Sequence, residues 1–243
     1  MIVLFTDFGW QGPYVGQMKA VLAQQAPDQV VIDLMHDAPV FQPRAAAYLL
    51  ASLVELFPSD SVFLAVVDPG VGSGGRRPCV LKADGRWYVG PDNGLFNIIA
   101  KQSAECVAWV IDWQPDSLSD SFHGRDLFAP VAAQLACGQL PAMTETSLAQ
   151  NPEEWPADLA EIIYLDSFGN AMTGLHGARI NKDASLVVKG NRINYTRVFA
   201  EAEKAQPFWY VNSIGLVEFA HYGQSVAGLY HFNVGDRVSL VSC

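Results

Sequence analysis

The sequence has no apolar run approaching the roughly 18 to 20 residues a bilayer span needs, and its greasiest stretches, Tyr48 to Phe57 and Val62 to Val67, are short and interrupted. Cysteine is scarce: Cys79, Cys106, Cys137 and Cys243 lie far apart with no CxxC pair, which suggests neither a disulfide framework nor a zinc site. They read as buried free thiols of a reducing compartment. Positive charge is also short, with Lys+Arg 15 against Asp+Glu 25 and a formal net charge of −10, arguing against binding of a phosphate backbone as the main task. The first basic residue is Lys19, so the opening Met1-Ile2-Val3-Leu4-Phe5-Thr6-Asp7 lacks the basic region of a secretory signal and reads as the first strand of a cytoplasmic protein. What the chain does have is apolar mass, 50% hydrophobic over 243 residues, enough for a sizeable core.

The pattern predicts an α/β protein in two parts. Short β-branched runs at Ile2 to Thr6, Val30 to Leu34, Val62 to Val67 and Val107 to Asp112 alternate with helical periodicity at Tyr14 to Gln24 and Arg44 to Phe57, the mark of a mostly parallel sheet. Further helices are expected after Gly94 and over Ala129 to Ala136, and Pro43 suits a first helical turn. Domain 1–140 thus reads as an α/β unit on a mostly parallel sheet, 141–158 reads as a linker, and 159–243, with short strands and turns, reads as a small antiparallel β-barrel or sandwich.

Chemistry-bearing residues recur just after strands, where open α/β sheets bind ligands. Thr6-Asp7-Phe8-Gly9, the loop from Asp68 to Arg77, Pro91-Asp92-Asn93-Gly94 and Phe122-His123-Gly124-Arg125-Asp126 are the N-terminal cases, and Asp166-Ser167-Phe168-Gly169-Asn170 the C-terminal one. Gly70 to Gly75 spells G-x-G-x-x-G, but a strand from Cys79 follows instead of a helix, so a dinucleotide site is not expected. Asp7-Phe8-Gly9 lacks a kinase context. Singly, Asp68 could be a turn former, Asp7 a cap and His123 a structural histidine. Together, a carboxylate, a guanidinium and an imidazole could hold a water and take its proton.

The ordered set Thr6-Asp7-Phe8-Gly9, Tyr14-Val15-Gly16-Gln17-Met18-Lys19, Val67-Asp68-Pro69-Gly70-Val71-Gly72, Pro91-Asp92-Asn93-Gly94-Leu95, Phe122 to Pro130, Asp166 with Phe168-Gly169-Asn170, and Asn212-Ser213 with Gly215 resembles the S-adenosyl-L-methionine (SAM) hydroxide adenosyltransferases, relatives of the SAM-dependent fluorinating and chlorinating enzymes. The resemblance implies attack of water or hydroxide on the ribose 5′ carbon, releasing L-methionine and adenosine. It also implies a Rossmann-like α/β N-terminal domain, a C-terminal β-barrel domain, a homotrimer with its site at the subunit interface, and neither metal nor separate cofactor, SAM being the substrate.

By the same resemblance Asp68, Arg76 and His123 are the water-activating set, with Arg77 standing beside Arg76 in a loop one residue longer than usual. Asp7 matches the acceptor of both ribose hydroxyls and Phe41 a ring on the ribose. Asp166 and Ser213 match holders of the methionine end, Asn170 an adenine contact and Phe199 an adenine-stacking ring, although Phe41 and Phe199 could equally be core. By the same resemblance Gly12 stands where relatives usually carry Asp. The halogenating branch lacks a carboxylate at position 68 and has Tyr-Ser in place of His123-Gly124, so halogenation is the alternative within the enzyme class. A non-catalytic adenosyl-binding sensor is the alternative outside it.

Overall fold

The computed structural model describes residues 1–72 and 76–241. The Ser73-Gly74-Gly75 part of the long loop and Cys243 lie outside the described residues. The chain forms two compact units, Met1–Trp155 and Pro156–Cys243.

The first unit is built on a seven-stranded sheet of order β2-β1-β3-β5-β4-β6-β7. Its strands are β1 (Ile2–Thr6), β2 (Val31–Met35), β3 (Val62–Val66), β4 (Pro78–Ala83), β5 (Arg86–Pro91), β6 (Cys106–Ile111) and β7 (Met143–Thr146), and its helices α1 (Tyr14–Gln25), α2 (Pro43–Leu53), α3 (Asn97–Gln102) and α4 (Ala129–Ala136). β1 and β3 are buried along their whole length, as near-continuous apolar runs in a sheet covered on both faces should be. Ile2, Leu4, Val62, Leu64 and Val66 join Met18 and Leu22 of α1 and Val131, Ala132 and Leu135 of α4 in one core. The alternate residues point the other way, where Phe63 stacks on Tyr88 and the Phe96 ring lies tilted against Tyr88. Each such fully buried side chain contributes about 1.5–3 kcal/mol.

Two sequence expectations change here. The sheet is mixed and not mostly parallel: β2, β1, β3 and β5 run parallel, but β4, β6 and β7 add antiparallel pairs. The reason is the tight Asp84-Gly85 connection, both residues at positive φ, which makes β4 and β5 a hairpin. Part of the stretch read as linker is also structured. Met143–Thr146 pairs with β6, and Trp155 stacks on Tyr48. Cys79 is buried, as expected of the thiols, but Cys106 and Cys137 are exposed. Among the described residues no helix is long and apolar enough to cross a membrane.

The second unit carries a seven-stranded sheet of order β14-β10-β11-β12-β13-β9-β8: β8 (Leu159–Leu165), β9 (Ala171–His176), β10 (Ser185–Val188), β11 (Asn191–Tyr195), β12 (Pro207–Val211), β13 (Leu216–His221) and β14 (Val238–Val241), with the short helix α5 (Val226–Tyr230). A bridge between Glu161 and Arg237 brings the first and last strands near closure, so the sheet is barrel-like. It is not wholly antiparallel, because β11 and β12 run parallel. Trp209, Phe219, Ile193 and Leu186 fill its core.

Candidate active site

Parallel neighbours end on the same side of a sheet, and the first unit uses that geometry to gather its polar loops. Asp7 follows β1, Asp68 follows β3 by two residues, and Asp92 and Asn93 follow β5. Asn93 Nδ2 donates to the Val67 carbonyl at 2.9 Å and Asp7 N to the Val66 carbonyl at 3.4 Å, tying the three loops into one rim. His123 meets the rim through Arg76. It caps a π-helical turn, Gly124–Phe128, that runs directly into α4, a local widening found often at functional sites.

On this rim Arg76 lies between a carboxylate and an imidazole. Its Nη2 is 3.0 Å from Asp68 Oδ2 and 3.0 Å from His123 Nδ1, and its guanidinium sits over the Phe128 ring at 5.6 Å. The side chains of Arg76 and Asp68 are only 7% and 4% exposed. Such a pair is costly to desolvate and holds only when its geometry is good. Asp68 Oδ1 accepts from Gly70 N at 3.1 Å. Asp68 Oδ2 and Arg76 Nε and Nη1 are buried without a hydrogen-bond partner among the described residues, so the short Asp68–Arg76 contact is a charge pair and not an aligned hydrogen bond. Unsatisfied buried atoms in a native fold call for a polar ligand such as water.

The electrostatics follow from that burial. Desolvation pushes the Asp68 carboxyl above its ordinary value, although the Arg76 charge works against it. Desolvation, then the Arg76 charge, lowers His123 below the usual histidine range, so its ring is neutral at pH 7. A guanidinium only donates. His123 Nδ1 therefore accepts from Arg76, and the neutral ring carries its proton on Nε2.

The neighbouring arginine is committed elsewhere. Arg77 donates to Asp92 Oδ2 at 2.6 Å and to the Ser147 carbonyl at 2.9 Å, while Asp92 also accepts from Ala149 N. Arg76 is thus the arginine of the Asp68–His123 set, and Arg77 clamps the chain beyond β7.

Asp7 Oδ2 accepts from Phe41 N at 3.1 Å. Burial raises its carboxyl, against the Phe41 amide and with a smaller upward push from Asp68. Phe41 is no core residue: it is 69% exposed and its φ is +58°, a strained backbone for a bulky residue. Gly12 has φ +104°, a conformation that suits glycine.

The second unit holds the remaining candidates in two places. Asp166 Oδ1 accepts from Phe168 N at 2.9 Å and Asn170 N at 2.8 Å, and Asp166 Oδ2 from Asn170 Nδ2 at 2.9 Å. Gly169 makes the turn possible, with φ +80° and Ser225 Oγ 1.9 Å from where a Cβ would stand. Ser213 is exposed in the turn between β12 and β13. Phe199 packs edge-on against Phe208 and Tyr210 at 5.0 and 5.3 Å, partly exposed and not core.

A residue the sequence reading passed over joins the Phe199 and Ser213 positions. Glu218, 2% exposed, accepts from Tyr210 Oη at 2.5 Å and Asn212 Nδ2 at 2.7 Å. Asn212 Oδ1 in turn accepts from Ile214 N and Leu216 N, shaping the Ser213 turn. Its signal was a lone acid inside Leu216-Val217-Glu218-Phe219-Ala220. Among the described residues no group of three or more His, Cys, Asp or Glu side chains is placed to hold a metal ion.

A mixed α/β unit carrying a buried Asp-Arg-His set at its strand ends, followed by a barrel-like unit, defines the class. The sequence profiles described as the SAM hydroxide adenosyltransferase N-terminal and C-terminal domains match residues 2–145 and 160–239. The chain belongs to the SAM hydroxide adenosyltransferase family. It is 37% identical to an (R)-S-adenosyl-L-methionine hydrolase of Thermus thermophilus, covering 90% of this chain and 91% of that one. It is 36% identical to an (R)-S-adenosyl-L-methionine hydrolase of Salinispora arenicola, covering 98% and 96%. A solved structure of an uncharacterized conserved protein from Thermotoga maritima superposes with a TM-score of 0.88 at 26% identity, covering 99% of this chain and 100% of that one.

Proposed function

We propose that this protein hydrolyses SAM to adenosine and L-methionine by attack of water on the ribose 5′ carbon. The observation that carries the proposal is Arg76 Nη2 held 3.0 Å from both Asp68 and His123. A pure binder of an adenosyl ligand has no use for a buried carboxylate of raised basicity beside a neutral imidazole. The sulfonium is already a good leaving group, so the protein has mainly to align and activate a poor nucleophile.

Asp68, whose Oδ2 accepts no hydrogen bond among the described residues, takes the proton from water as the new carbon–oxygen bond forms and the carbon–sulfur bond breaks. The electron pair of that bond leaves with methionine as its thioether. His123 donates through Nε2–H to the attacking oxygen and orients it. Arg76 holds both groups and keeps Asp68 from staying protonated at neutral pH. Asp7 accepts the two ribose hydroxyls beside the Phe41 ring. Asp166 and Ser213 take the amino-acid end, and Asn170 and Phe199 the adenine. The relatives' names support the reaction, and the family resemblance supports these residue assignments, together with a Rossmann-like first domain, a C-terminal β-barrel domain, a homotrimer with its site at the subunit interface and no added cofactor; the widely spaced cysteines fit a cytoplasmic location.

The test is incubation of the purified protein with SAM, with and without chloride or fluoride, followed by mass analysis of the nucleoside. Adenosine and methionine in equal amounts are expected. A 5′-halo nucleoside would make the chain a halogenase, and intact bound SAM would make it a sensor.

A further inference from the structure

The Tyr14–Lys19 motif has no part in the chemistry above, yet it begins a hydrogen-bonded chain that ends beside Asp7. Lys19 Nζ donates to Asp33 Oδ2 at 2.7 Å. Asp33 Oδ1 lies 3.2 Å from His36 Nε2, and His36 Nδ1 lies 2.9 Å from Thr6 Oγ1. His36 and Thr6 are 1% and 0% exposed. An ionised carboxylate only accepts, so His36 Nε2 carries a proton. In the tautomer that bears its hydrogen on Nε2, Nδ1 accepts and the Thr6 hydroxyl donates. That rotor leaves a Thr6 lone pair for Phe8 N, 3.4 Å away. Burial alone would raise the Asp33 carboxyl, but the hydrogen bonds from Lys19 and His36 outweigh it and hold the carboxyl below its ordinary value.

The same segment grips the loop by other means. His36 O accepts from Gly9 N at 2.6 Å, and Ala38 N donates to Thr6 O at 3.1 Å. The Trp10 ring stands edge-on to His36 at 4.9 Å, and Phe41 N donates to Asp7. The sheet is adjusted to make this possible. β1 and β2 pair Leu4 with Asp33 but Phe5 with Met35, a register shift of one residue. The extra residue advances β2 by one position relative to β1, and His36, next after Met35, meets Thr6 through its ring. Irregularities of this kind re-aim side chains next to active sites.

We propose that His36, backed by Asp33 and Lys19, is a positioning residue that fixes the Thr6–Trp10 loop so that Asp7 accepts from the vicinal diol of a ribonucleoside in one orientation. This rests on the reading of Asp7 as the ribose acceptor. A merely structural network would lower stability without changing which sugar is preferred.

The experiment measures calorimetric affinities of the full chain for adenosine and 2′-deoxyadenosine, with the Tm of each variant. The wild type is expected to prefer adenosine by roughly tenfold or more, the worth of a charged hydrogen bond, and Asp7→Asn to remove that preference. Thr6→Val, nearly isosteric, should bring the preference down to about that of Asp7→Asn, and Thr6→Ser should restore it. Lys19→Met, at a side chain 41% exposed, leaves folding least at risk and should cut the preference by about threefold. If Thr6→Val does not fold, Lys19→Met decides. A full wild-type preference in folded Thr6→Val or Lys19→Met, with Asp7→Asn still losing it, overturns this proposal alone. No preference in the wild type overturns the Asp7 reading and this proposal with it.

Discussion

Replacing His123 separates the two jobs an imidazole could do here, because the hydrogen bond from Arg76 fixes which nitrogen holds the proton. With Nδ1 accepting from Arg76 Nη2 at 3.0 Å, His123 has only Nε2–H to offer the nucleophile. Loss of one hydrogen bond to an oxygen gaining negative charge costs about 1.5–3 kcal/mol, roughly 10- to 150-fold in kcat. Loss of a general base costs about 10²–10⁴-fold. His123→Ala should therefore fall in the first range and Asp68→Asn in the second. His123→Gln, whose amide keeps a donor near the Nε2 position, should stay within about tenfold of wild type. Adenosine release by chromatography gives kcat, and calorimetry with adenosine checks that binding changes by less than about tenfold in each variant. If His123→Gln binds adenosine normally yet is as slow as Asp68→Asn, His123 is the proton acceptor and the assignment is refuted.

The pH profile tests the same assignment from another side. Asp68 is raised from its ordinary 3.8 and His123 lowered from its ordinary 6.5. Both work deprotonated, so kcat/KM should fall as pH drops and either group takes up its proton; a rate that instead falls as pH rises past neutrality would contradict it. The two arginines should separate cleanly: Arg76→Met should cost turnover by about 10²-fold or more. Arg77→Met, which breaks the clamp on Asp92 and Ser147, should instead lower Tm and leave the kcat of the folded protein within about threefold. Gly90→Ala should destabilise by roughly 1–3 kcal/mol or more, because its Cβ would stand 2.1 Å from the Ala65 carbonyl oxygen. An unchanged denaturation midpoint would show that β3 and β5 do not pack this closely.

The parts legible in the sequence were those governed by local pattern. β1 and β3 announced themselves as buried β-branched runs, α2 by Pro43 and its apolar stripe, and the polar loops by their place after strands. β5 and β7 were not seen, since Arg86-Trp87-Tyr88 opens on a polar residue and Met143–Thr146 is an edge strand whose burial depends on β6. The mixed sheet was hidden for the same reason: a hairpin at Asp84-Gly85 reverses a strand through two backbone torsions. At the site, residue types pointed to Asp68 and His123, but spacing could not choose between Arg76 and Arg77, which the partners Asp68 and Asp92 decide. Glu218 and His36 went unassigned because each acts through other side chains, and such roles exist only once the strands are paired.

The most direct test of the central claim is turnover of SAM in water enriched in heavy oxygen, with mass analysis of the nucleoside formed. The account predicts adenosine carrying the label in its 5′ hydroxyl, from water attacking the sugar carbon. Adenosine without label, or a 5′-substituted nucleoside that excludes the water oxygen, would contradict it.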